Sequence, residues 1–459
     1  MNRRASLTLH HTPLLLPLIC LIAGMVSGPQ LNMVAGLVLM AILTAAAWAA
    51  HSWSAVQSLL VGGVFVVIGM MNTPDASHGH VPQGEWMEGV VADMPTEKPK
   101  TMAVTVLLPA EGKTHQFYFR KDSCSRSLRM AEAVRLRLSH DGWFVGSHDW
   151  QRGGNAREQL SRWQRMRLWF MTWRQQLLQR YQVLPADETE YAILAAMTLG
   201  DKTALTPEMR DKFSISGAGH VLALSGLHLG IIFYLLSRLL LLRRFRFGRA
   251  LLICALWAFA FLTGLSTSTV RSATMLTVLT LFTGRSYASL NALCFAAILL
   301  LLIDSSSLLD MGFQMSFASV GAILIFMPVF EQLLPQSWRR WRPLWWTATM
   351  MAVSIAAQIG SAPLVAYYFG RFSTYFLFTN LLVIPAVTVI LWGALLLLLV
   401  PCYWMGVVLT TTVGLLNKGL SLIASLPLAS IEGLHPSVLQ VALLYLLAAI
   451  IYRLLRVFR

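Results

Sequence analysis

The stretch GHVLALSGLHLG, residues 219–230, opens one of the most apolar segments of the chain. It places His220, Ser225 and His228 where a membrane-spanning helix would otherwise carry only hydrocarbon. Polar and ionisable groups are costly inside a bilayer, so by default they mark a pathway or a functional site. On a helix, Ser225 and His228 would share one face. A structural hydrogen-bond cluster between helices is the alternative, and the sequence leaves both open.

The same stretch carries four small residues at spacings of four, three and four. If the segment is helical, they form one stripe along which a second helix can approach closely. These helix-packing candidates are Gly219, Ala223, Gly226 and Gly230. A single span over residues 217–242 is therefore predicted to carry both the polar residues and the small residues that allow close packing.

The composition predicts an all-α polytopic membrane protein. Of the 459 residues, 56% are hydrophobic and only 12% are charged, whereas a soluble protein carries about 25% charged residues. Apolar runs of roughly 20 residues recur, and each is long enough to span a bilayer as a helix. Residues 1–71 form an N-terminal segment of about three such runs, and about 12 spans are predicted in all.

Between these groups of spans the chain becomes polar. Residues 72–156 contain short alternating runs, which predict a small extracytoplasmic β domain inserted after the third span. The runs are Trp86–Ala92, Met102–Leu108, Gln116–Arg120 and Ala133–Leu138. Residues 157–182 interleave arginines with tryptophans, which indicates an amphipathic helix on the membrane surface. A nucleic-acid contact, with arginines on phosphates and tryptophans under bases, is the alternative for this helix.

The distribution of basic residues predicts the orientation. The formal net charge of +15 suits anionic lipid headgroups and equally a polyanion such as nucleic acid. With Arg3 and Arg4 in the cytoplasm, alternating spans place nearly every later basic cluster on the cytoplasmic side. The sequence therefore predicts a multi-pass protein of the bacterial inner membrane, with both termini in the cytoplasm.

Polar residues and prolines interrupt several other predicted spans. Such interruptions are tolerated where a helix lines a cavity or packs within protein, so several together favour a transport pathway. The residues predicted to line it or contact substrate are His220, Ser225, His228, Arg271, Gln314, Ser316, Gln358 and Asn380. No catalytic residue, metal ligand or cofactor is predicted, because the cysteines form no ligand pattern and no phosphate-binding glycine loop occurs.

The motif HVLALSGLH, residues 220–228, resembles the HLLAISGLH signature of the ComEC competence family. Weaker matches occur in the family's order: Leu199-Gly200-Asp201, TVRS at 269–272, GFQMSF at 312–317 and NLLVIP at 380–385. Order and spacing agree from about residue 185 onward. We therefore expect residues 185–459 to form a competence-type channel domain.

The resemblance implies a channel that passes one strand of incoming DNA into the cytoplasm during natural transformation. It also implies that the β domain is an OB-like barrel, which suits single strands. Many members continue into a metallo-β-lactamase-like domain whose histidine motif is missing here, so a form without that domain is expected. The partners expected are single-stranded DNA, membrane lipid, a DNA receptor, a cytoplasmic ATPase or helicase, and a separate nuclease.

Two other functions stay open at this point. The same scaffold could transport another anionic or lipid-like solute. Ser225 and His228 could also be the nucleophile and base of an intramembrane hydrolase. The hydrolase is disfavoured because the segment holds no acidic partner and an i, i+3 pair on a helix is not a strained nucleophile elbow.

Overall fold

The structure, a computed structural model, describes residues 12–27, 31–50, 52–74, 85–98, 100–110, 114–138, 143–181, 184–239, 246–282, 288–400 and 402–457. Its N-terminal part consists of three helices: α1 (Leu15–Val26), α2 (Met33–Ala49) and α3 (Ser54–Met71). Helices α1 and α3 cross closely because both carry glycine at the crossing. A Cβ atom on Gly24 would collide with the carbonyl oxygen of Val66.

A β domain follows these helices. Its elements are β1 (Trp86–Val91), β2 (Thr96–Glu97), β3 (Thr101–Leu107), β4 (Thr114–Arg120), α4 (Ser123–Arg126), β5 (Ala133–Arg137), β6 (Phe144–Val145) and β7 (Trp150–Arg152). The four strands predicted from alternation are β1, β3, β4 and β5, with small shifts of their ends. The other three strands were not predicted because two or three residues are too few to show alternation.

The segment that carries β6 and β7 pairs with both outer strands of the sheet, β4 and β5. Strand β1 pairs antiparallel with β3 and with β5, and β3 pairs antiparallel with β4. Strand β6 then runs parallel to β4, while the next strand, β7, runs antiparallel to β5. One segment therefore covers the free edges of β4 and β5. The inward face is an apolar core that includes Phe117, Phe119 and Leu136.

Four helices connect the β domain to the C-terminal membrane region: α5 (Arg162–Tyr181), α6 (Glu188–Leu199), α7 (Pro207–Ile215) and α8 (Gly219–Leu222). Helix α6 begins at a capping box formed by Asp187 and Glu190. It ends at Gly200, which adopts φ +74°, a conformation that favours glycine. Residues 192–199 of α6 are all buried, so this helix forms part of the protein core.

In the residues that the structure describes, the C-terminal region is helical apart from one short pair of strands. Its helices are α9 (Gly226–Leu239), α10 (Arg246–Leu262), α11 (Thr267–Leu281), α12 (Ala288–Ile303), α13 (Met311–Leu333), α14 (Arg342–Phe369), α15 (Phe376–Leu399), α16 (Tyr403–Ser425) and α17 (Val438–Val457). Strands β8 (Arg371–Ser373) and β9 (Ser430–Glu432) pair antiparallel beside them. The arginine of β8 holds this corner together, since Arg371 pairs with Asp211 at 3.0 Å and with Glu432 at 3.1 Å.

The predicted class is confirmed at the level of a helical membrane protein with a small β domain. Among the described residues, six helices are long and apolar enough to cross a bilayer: α3, α13, α14, α15, α16 and α17. Helices α1, α2, α9, α10 and α12 are apolar but shorter. Helix α11 is more polar than these because it carries threonines, serines and Arg271. The count of about 12 spans stays a prediction.

One prediction about the fold is contradicted by the structure. Residues 217–242 do not form a single helix, because α8 ends at Leu222 and α9 begins only at Gly226. Ala223 between them is extended, with φ −94° and ψ 130°. The four small residues therefore do not lie on one helical stripe. The cause is local: polar groups of the motif cap a new helix rather than continue the old one, as described below.

Candidate functional site

Ser225 and His228 form the start of α9. The Ser225 hydroxyl oxygen lies 3.0 Å from His228 Nδ1, and the Ser225 backbone N–H donates to the same nitrogen at 3.2 Å. The Ser225 carbonyl in turn accepts the His228 backbone N–H at 3.1 Å. A side chain that accepts the backbone N–H three residues before it, at the start of a helix, forms one half of a capping box. Histidine here takes the position usually held by glutamate or glutamine.

The two histidines of the motif lie in different surroundings. His228 is completely buried, and its Nε2 has no hydrogen-bond partner among the described residues. His220, on α8, is exposed. Buried polar atoms normally have a hydrogen-bond partner, so this ring nitrogen is an exception within the described residues. The motif thus combines one exposed imidazole with one that is buried and held by Ser225.

The small residues of the motif serve separate purposes. A Cβ on Gly219 would lie 3.4 Å from Ser214 Cα of α7, so Gly219 sits against that helix. A Cβ on Gly226 would lie 3.1 Å from Ser272 Oγ, which brings α9 close to α11. Gly230 faces open space, since a Cβ there would meet no atom within 4 Å. Ala223 lies in the extended link between α8 and α9.

Arg271 is held in an ion pair. Its guanidinium donates to Asp310 at 2.8 Å, and only 8% of the residue is exposed. Asp310 also caps α13 by accepting the Gly312 backbone N–H at 2.8 Å. A Cβ on Gly312 would lie 2.8 Å from an Arg271 nitrogen, so glycine makes room for the guanidinium. The pair therefore fastens α11 to the first turn of α13.

Gln314 joins two further elements. Its amide nitrogen donates to the Leu308 carbonyl at 2.9 Å, and its amide oxygen accepts the Tyr368 hydroxyl at 2.8 Å. Three other predicted residues are half-buried and make no side-chain hydrogen bond within the described parts of the chain: Ser316, Gln358 and Asn380. Their polar groups are therefore available to a passing ligand.

Five helices that carry these residues contact one another in a ring. Helix α9 contacts α11, α11 contacts α13, α13 contacts α14, α14 contacts α15, and α15 contacts α9. The sequence-predicted polar residues lie on these helices, except His220, which lies on α8 just before α9. They are Ser225 and His228 at α9, Arg271 on α11, Gln314 and Ser316 on α13, Gln358 on α14, and Asn380 on α15.

The polar residues of the ring are concentrated toward one end. They occupy the first two turns of α9, α11, α13 and α15 but the C-terminal half of α14. The Tyr368–Gln314 hydrogen bond shows that the C-terminal end of α14 lies beside the start of α13. Farther along the helices the contacts are apolar, as where Leu395 of α15 packs on the cluster containing Leu229 and Ile232. The ring thus has a polar end and an apolar remainder.

Sequence reasoning missed several residues that organise the ring. Gly360 on α14 allows a close helix crossing, because a Cβ there would collide with the Ala318 carbonyl oxygen of α13. The same Gly360 carbonyl accepts the Tyr445 hydroxyl of α17 at 2.6 Å. Asp310 was recognisable as an aspartate before an apolar run, which is an N-cap signal. The pairing of Asp310 with Arg271 could not be recognised, because the local sequence carries no signal for a contact between residues far apart in the chain.

Helix α5 connects the β domain to the membrane region. Phe261 of α10 stacks on both Trp163 and Phe170, at centroid distances of 5.5 and 5.3 Å. Arg174 is only 6% exposed and pairs with Asp93 of the β domain at 3.4 Å. Trp163, Trp169 and Trp173 are exposed. The helix therefore buries one of its basic residues and presents an aromatic face.

One outer face of the β domain combines basic and aromatic side chains. Tyr118 on β4 pairs with Phe144 of β6, and the Lys98 ammonium lies 4.7 Å from the Tyr118 ring centroid. Trp143 stacks on His115 at 5.4 Å on the opposite side of β4, because His115 and Tyr118 point to opposite faces of the strand. Arg120 is exposed at the end of β4. This composition can stack bases and attract phosphates.

Comparison with known proteins assigns the family. The family model for competence proteins matches residues 197–458, which contain every ring helix. The ComE operon protein 3 of Bacillus subtilis (strain 168) is 32% identical over 213 residues, 45% of this chain and 26% of that protein. An uncharacterized protein of Aquifex aeolicus (strain VF5) is 33% identical over 196 residues, 42% of this chain and 44% of that protein. The matching regions thus span less than half of either relative.

No solved structure matches the chain. The family match covers more than half of the residues and includes the motif at 220–228 together with Arg271, Gln314, Gln358 and Asn380. The chain belongs to the competence protein family and is of the ComEC type.

Proposed function

We propose that this chain is an inner-membrane channel that passes single-stranded DNA into the cytoplasm during natural transformation. The observation that carries the proposal is the ring of α9, α11, α13, α14 and α15, whose polar residues gather at one end. Family membership supports a role in DNA uptake for competence. The strand would pass through the interior of this ring.

The chemistry of the ring suits passage rather than tight binding. A DNA strand carries one negative charge per nucleotide and needs polar partners along its path. Conduction also requires that each contact be weak enough to release its ligand. Ser316, Gln358 and Asn380 offer neutral polar groups, and the charge of Arg271 is balanced by Asp310. The apolar contacts below them would then have to separate for a strand to pass.

We further propose that the β domain is an OB-type barrel that receives the strand. In support, β1 lies between β3 and β5, and the β6–β7 segment runs parallel to β4 and antiparallel to β5. An OB-fold binds oligonucleotides on its second and third strands, which correspond here to β3 and β4. Tyr118, Phe144, Lys98 and Arg120 lie on or beside the outer side of that face.

The distribution of basic residues supports an orientation of the chain in the membrane. We propose that both termini lie in the cytoplasm and that the polar end of the ring faces outward, toward the β domain. The exposed tryptophans of α5 would then rest in the outer leaflet, where aromatic residues concentrate. A DNA receptor would deliver the strand, a cytoplasmic ATPase or helicase would draw it in, and a separate nuclease would degrade the other strand.

One geometric observation favours a second candidate function. The 3.0 Å contact between Ser225 Oγ and His228 Nδ1 is also the contact of a serine nucleophile with its base. A third group that orients the histidine is missing among the described residues, because Nε2 has no partner. An intramembrane hydrolase therefore ranks below the channel. Labelling of Ser225 by a fluorophosphonate probe would favour the hydrolase.

Uptake in cells tests the channel directly. A strain lacking this chain is complemented with Gln358→Leu/Asn380→Leu, and both transformation frequency and internalised labelled DNA are measured at matched expression. We expect a loss of at least roughly tenfold in both, since the polar partners of the strand are removed. Thr411→Val, at an exposed position of α16, is the control and should behave as wild type. Normal DNA uptake by the double variant would contradict the proposal, and a solute-transport defect without a DNA defect would favour transport of another anionic or lipid-like solute.

A further inference from the structure

We infer that the β domain holds a second, separate site for the DNA strand: a cavity that binds backbone phosphates without reading bases. The inference rests on the proposed function, since it adds a contact for the same strand. The cavity has a volume of about 650 Å³ and lies at the end of β7. Arginines at three positions line it: Arg129, Arg152 and Arg157.

The charge of the cavity is unbalanced. Its lining holds three arginines against one carboxylate, Glu132. Arg152 is held in place, since it lies 3.4 Å from Glu132, donates to the Cys124 carbonyl at 3.1 Å and donates to the Ser127 hydroxyl. The exposed side chains of Arg129 and Arg157 have no partner within the described residues. Two guanidinium groups are therefore free to take an anion.

The walls of the cavity are fixed by the fold. The loop that carries Arg129 is tied to the sheet, because the Ala131 backbone N–H donates to the Val91 carbonyl at 2.8 Å. The opposite wall is the end of β7, where the Gly153 N–H donates to the Ala133 carbonyl at 2.8 Å. Gly153 has φ +106°, and a Cβ there would meet no atom within 4 Å. The backbone walls and Arg152 are thus preformed, which lowers the entropy cost of binding, whereas the side chains of Arg129 and Arg157 become ordered only on the ligand.

The chemistry of the lining selects a phosphate. Planar guanidinium groups bind phosphate oxygens bidentately, and their charge does not depend on pH in the physiological range. The described lining contains no aromatic ring on which a base could stack. It also lacks a long apolar wall for an acyl chain, since its apolar members are Met130, Ala131 and Ala133. A phosphodiester of a nucleic-acid strand fits these conditions better than a base or a lipid.

The location suits a strand on its way to the membrane. Ala133, in the cavity wall, also packs on the cluster of Ala156, Leu160 and Leu168, which joins the β domain to α5. The cavity is therefore beside the connection to the membrane helices. It is built on β5 and β7, whereas the aromatic face lies on β4 and β6. A strand held on the aromatic face would gain a second, purely electrostatic contact here.

Binding of a fluorescent single-stranded oligothymidylate to the full-length protein in zwitterionic nanodiscs tests the inference. The variant Arg129→Gln/Arg157→Gln is compared with wild type from about 50 to 200 mM salt. We expect several-fold weaker binding at low salt, and a salt slope reduced by about 0.7 for each phosphate that the variant no longer neutralises. The reduction should be the same for oligomers of thymidine, cytidine and adenosine, because no base is read. Arg340→Gln/Arg342→Gln, at exposed positions around the start of α14, is the charge-matched control.

The outcomes distinguish the phosphate site from the channel. If wild type binds but the variant keeps the same affinity and salt slope, the phosphate site is wrong while the channel stands. If wild type itself fails to bind single strands, both fail. A variant that keeps its DNA affinity but retains fewer phosphatidylglycerol molecules through purification would assign the cavity to lipid headgroups and overturn the inference.

Discussion

The Arg271 guanidinium donates to the Asp310 carboxylate at 2.8 Å across 39 residues of sequence, and this contact ties α11 to the start of α13. The two partners differ in burial, since the side chain of Arg271 is 9% exposed and that of Asp310 is 36% exposed. The pair therefore links two members of the ring at its polar end. It also cancels a positive charge that would otherwise hold a phosphate strongly.

The difference in burial predicts unequal effects of the two single substitutions. Asp310→Asn keeps an N-cap residue but leaves a buried arginine unpaired, so we expect a loss of roughly 2–3 kcal/mol in unfolding free energy. Arg271→Gln leaves a carboxylate that water can reach, and we expect a loss of roughly 1 kcal/mol. Unfolding of purified protein in mixed micelles measures both. Equal losses, or a double variant whose loss equals the sum, would contradict the ion pair as described.

Gly360 predicts a steric effect at the crossing of α13 and α14. A Cβ there would collide with the Ala318 carbonyl oxygen, so Gly360→Ala should force the helices apart and destabilise the protein by roughly 1–3 kcal/mol. Gly321→Ala on α13 is the matched control, because its Cβ would meet its nearest atom only at 3.8 Å. The melting temperatures of both variants decide the matter. A tolerated Gly360→Ala would show that the crossing is looser than described.

The Ser225–His228 contact predicts a graded series in DNA uptake. His228→Gln should retain much of the activity, because glutamine at this position of a capping box can also reach back to the Ser225 backbone. His228→Ala cannot make this hydrogen bond and should reduce transformation, as should Ser225→Ala, which removes the hydroxyl that contacts His228 Nδ1. Ser237→Ala is the control, because that hydroxyl donates to the Tyr234 carbonyl of its own helix.

The same series separates the two proposed functions of the motif. A hydrolase needs the imidazole as a base, so His228→Gln would abolish its activity while leaving the fold intact. Transformation frequency and fluorophosphonate labelling are measured on the same strains. If wild type is labelled, and His228→Gln loses both the labelling and transformation, the motif is catalytic and not part of the channel.

Asp122 predicts a pH dependence of the β domain. The Ser125 backbone N–H bonds to this carboxylate at 2.6 Å and holds its pKa below the ordinary value. Since the folded pKa is the lower one, the stabilisation is complete above the unfolded pKa of about 4. It disappears as the pH falls through the folded value. The hydrogen-exchange protection factors of residues 123–127, measured relative to the unfolded chain at the same pH, should therefore fall in acid.

Two variants check the cause of this acid sensitivity. Asp122→Ala removes the cap and should cost about 1 kcal/mol at neutral pH. Asp122→Asn keeps a capping side chain without a titratable group, so the protection factors should change little with pH. Equal acid sensitivity in wild type and Asp122→Asn would assign the effect to another group.

The elements that could be predicted from the sequence are those with a periodic or compositional signal. Alternation located β1, β3, β4 and β5, and apolar runs located the membrane helices, because both signals are repeated over many residues. The break at Ala223–Ser225 was not predicted, since a serine and a histidine in an apolar run are compatible with a helix that continues. Only the hydrogen bonds from Ser225 to His228 show that a new helix begins there.

The residues of the candidate site were predictable one at a time, but their arrangement was not. Single polar residues in apolar spans were recognisable, as with Gln358 and Asn380. Their placement on five contacting helices depends on tertiary packing, which glycines such as Gly360 permit. Asp310 and Tyr368 complete hydrogen bonds with Arg271 and Gln314 across long sequence separations. Such partners leave no periodic signal in a single sequence.

Photocrosslinking of a strand during uptake tests the central claim most directly. The five native cysteines are replaced, and single cysteines carrying benzophenone are placed at Gln358, Asn380 or Gly230 in the ring. Leu415 and Leu422, exposed on α16, serve as positions outside it. Labelled DNA is added to competent cells, and the protein is illuminated during uptake. We predict crosslinks to single-stranded DNA at the ring positions and none at Leu415 or Leu422. Crosslinks at α16 alone, or equal crosslinking at both sets, would contradict a strand path through the ring.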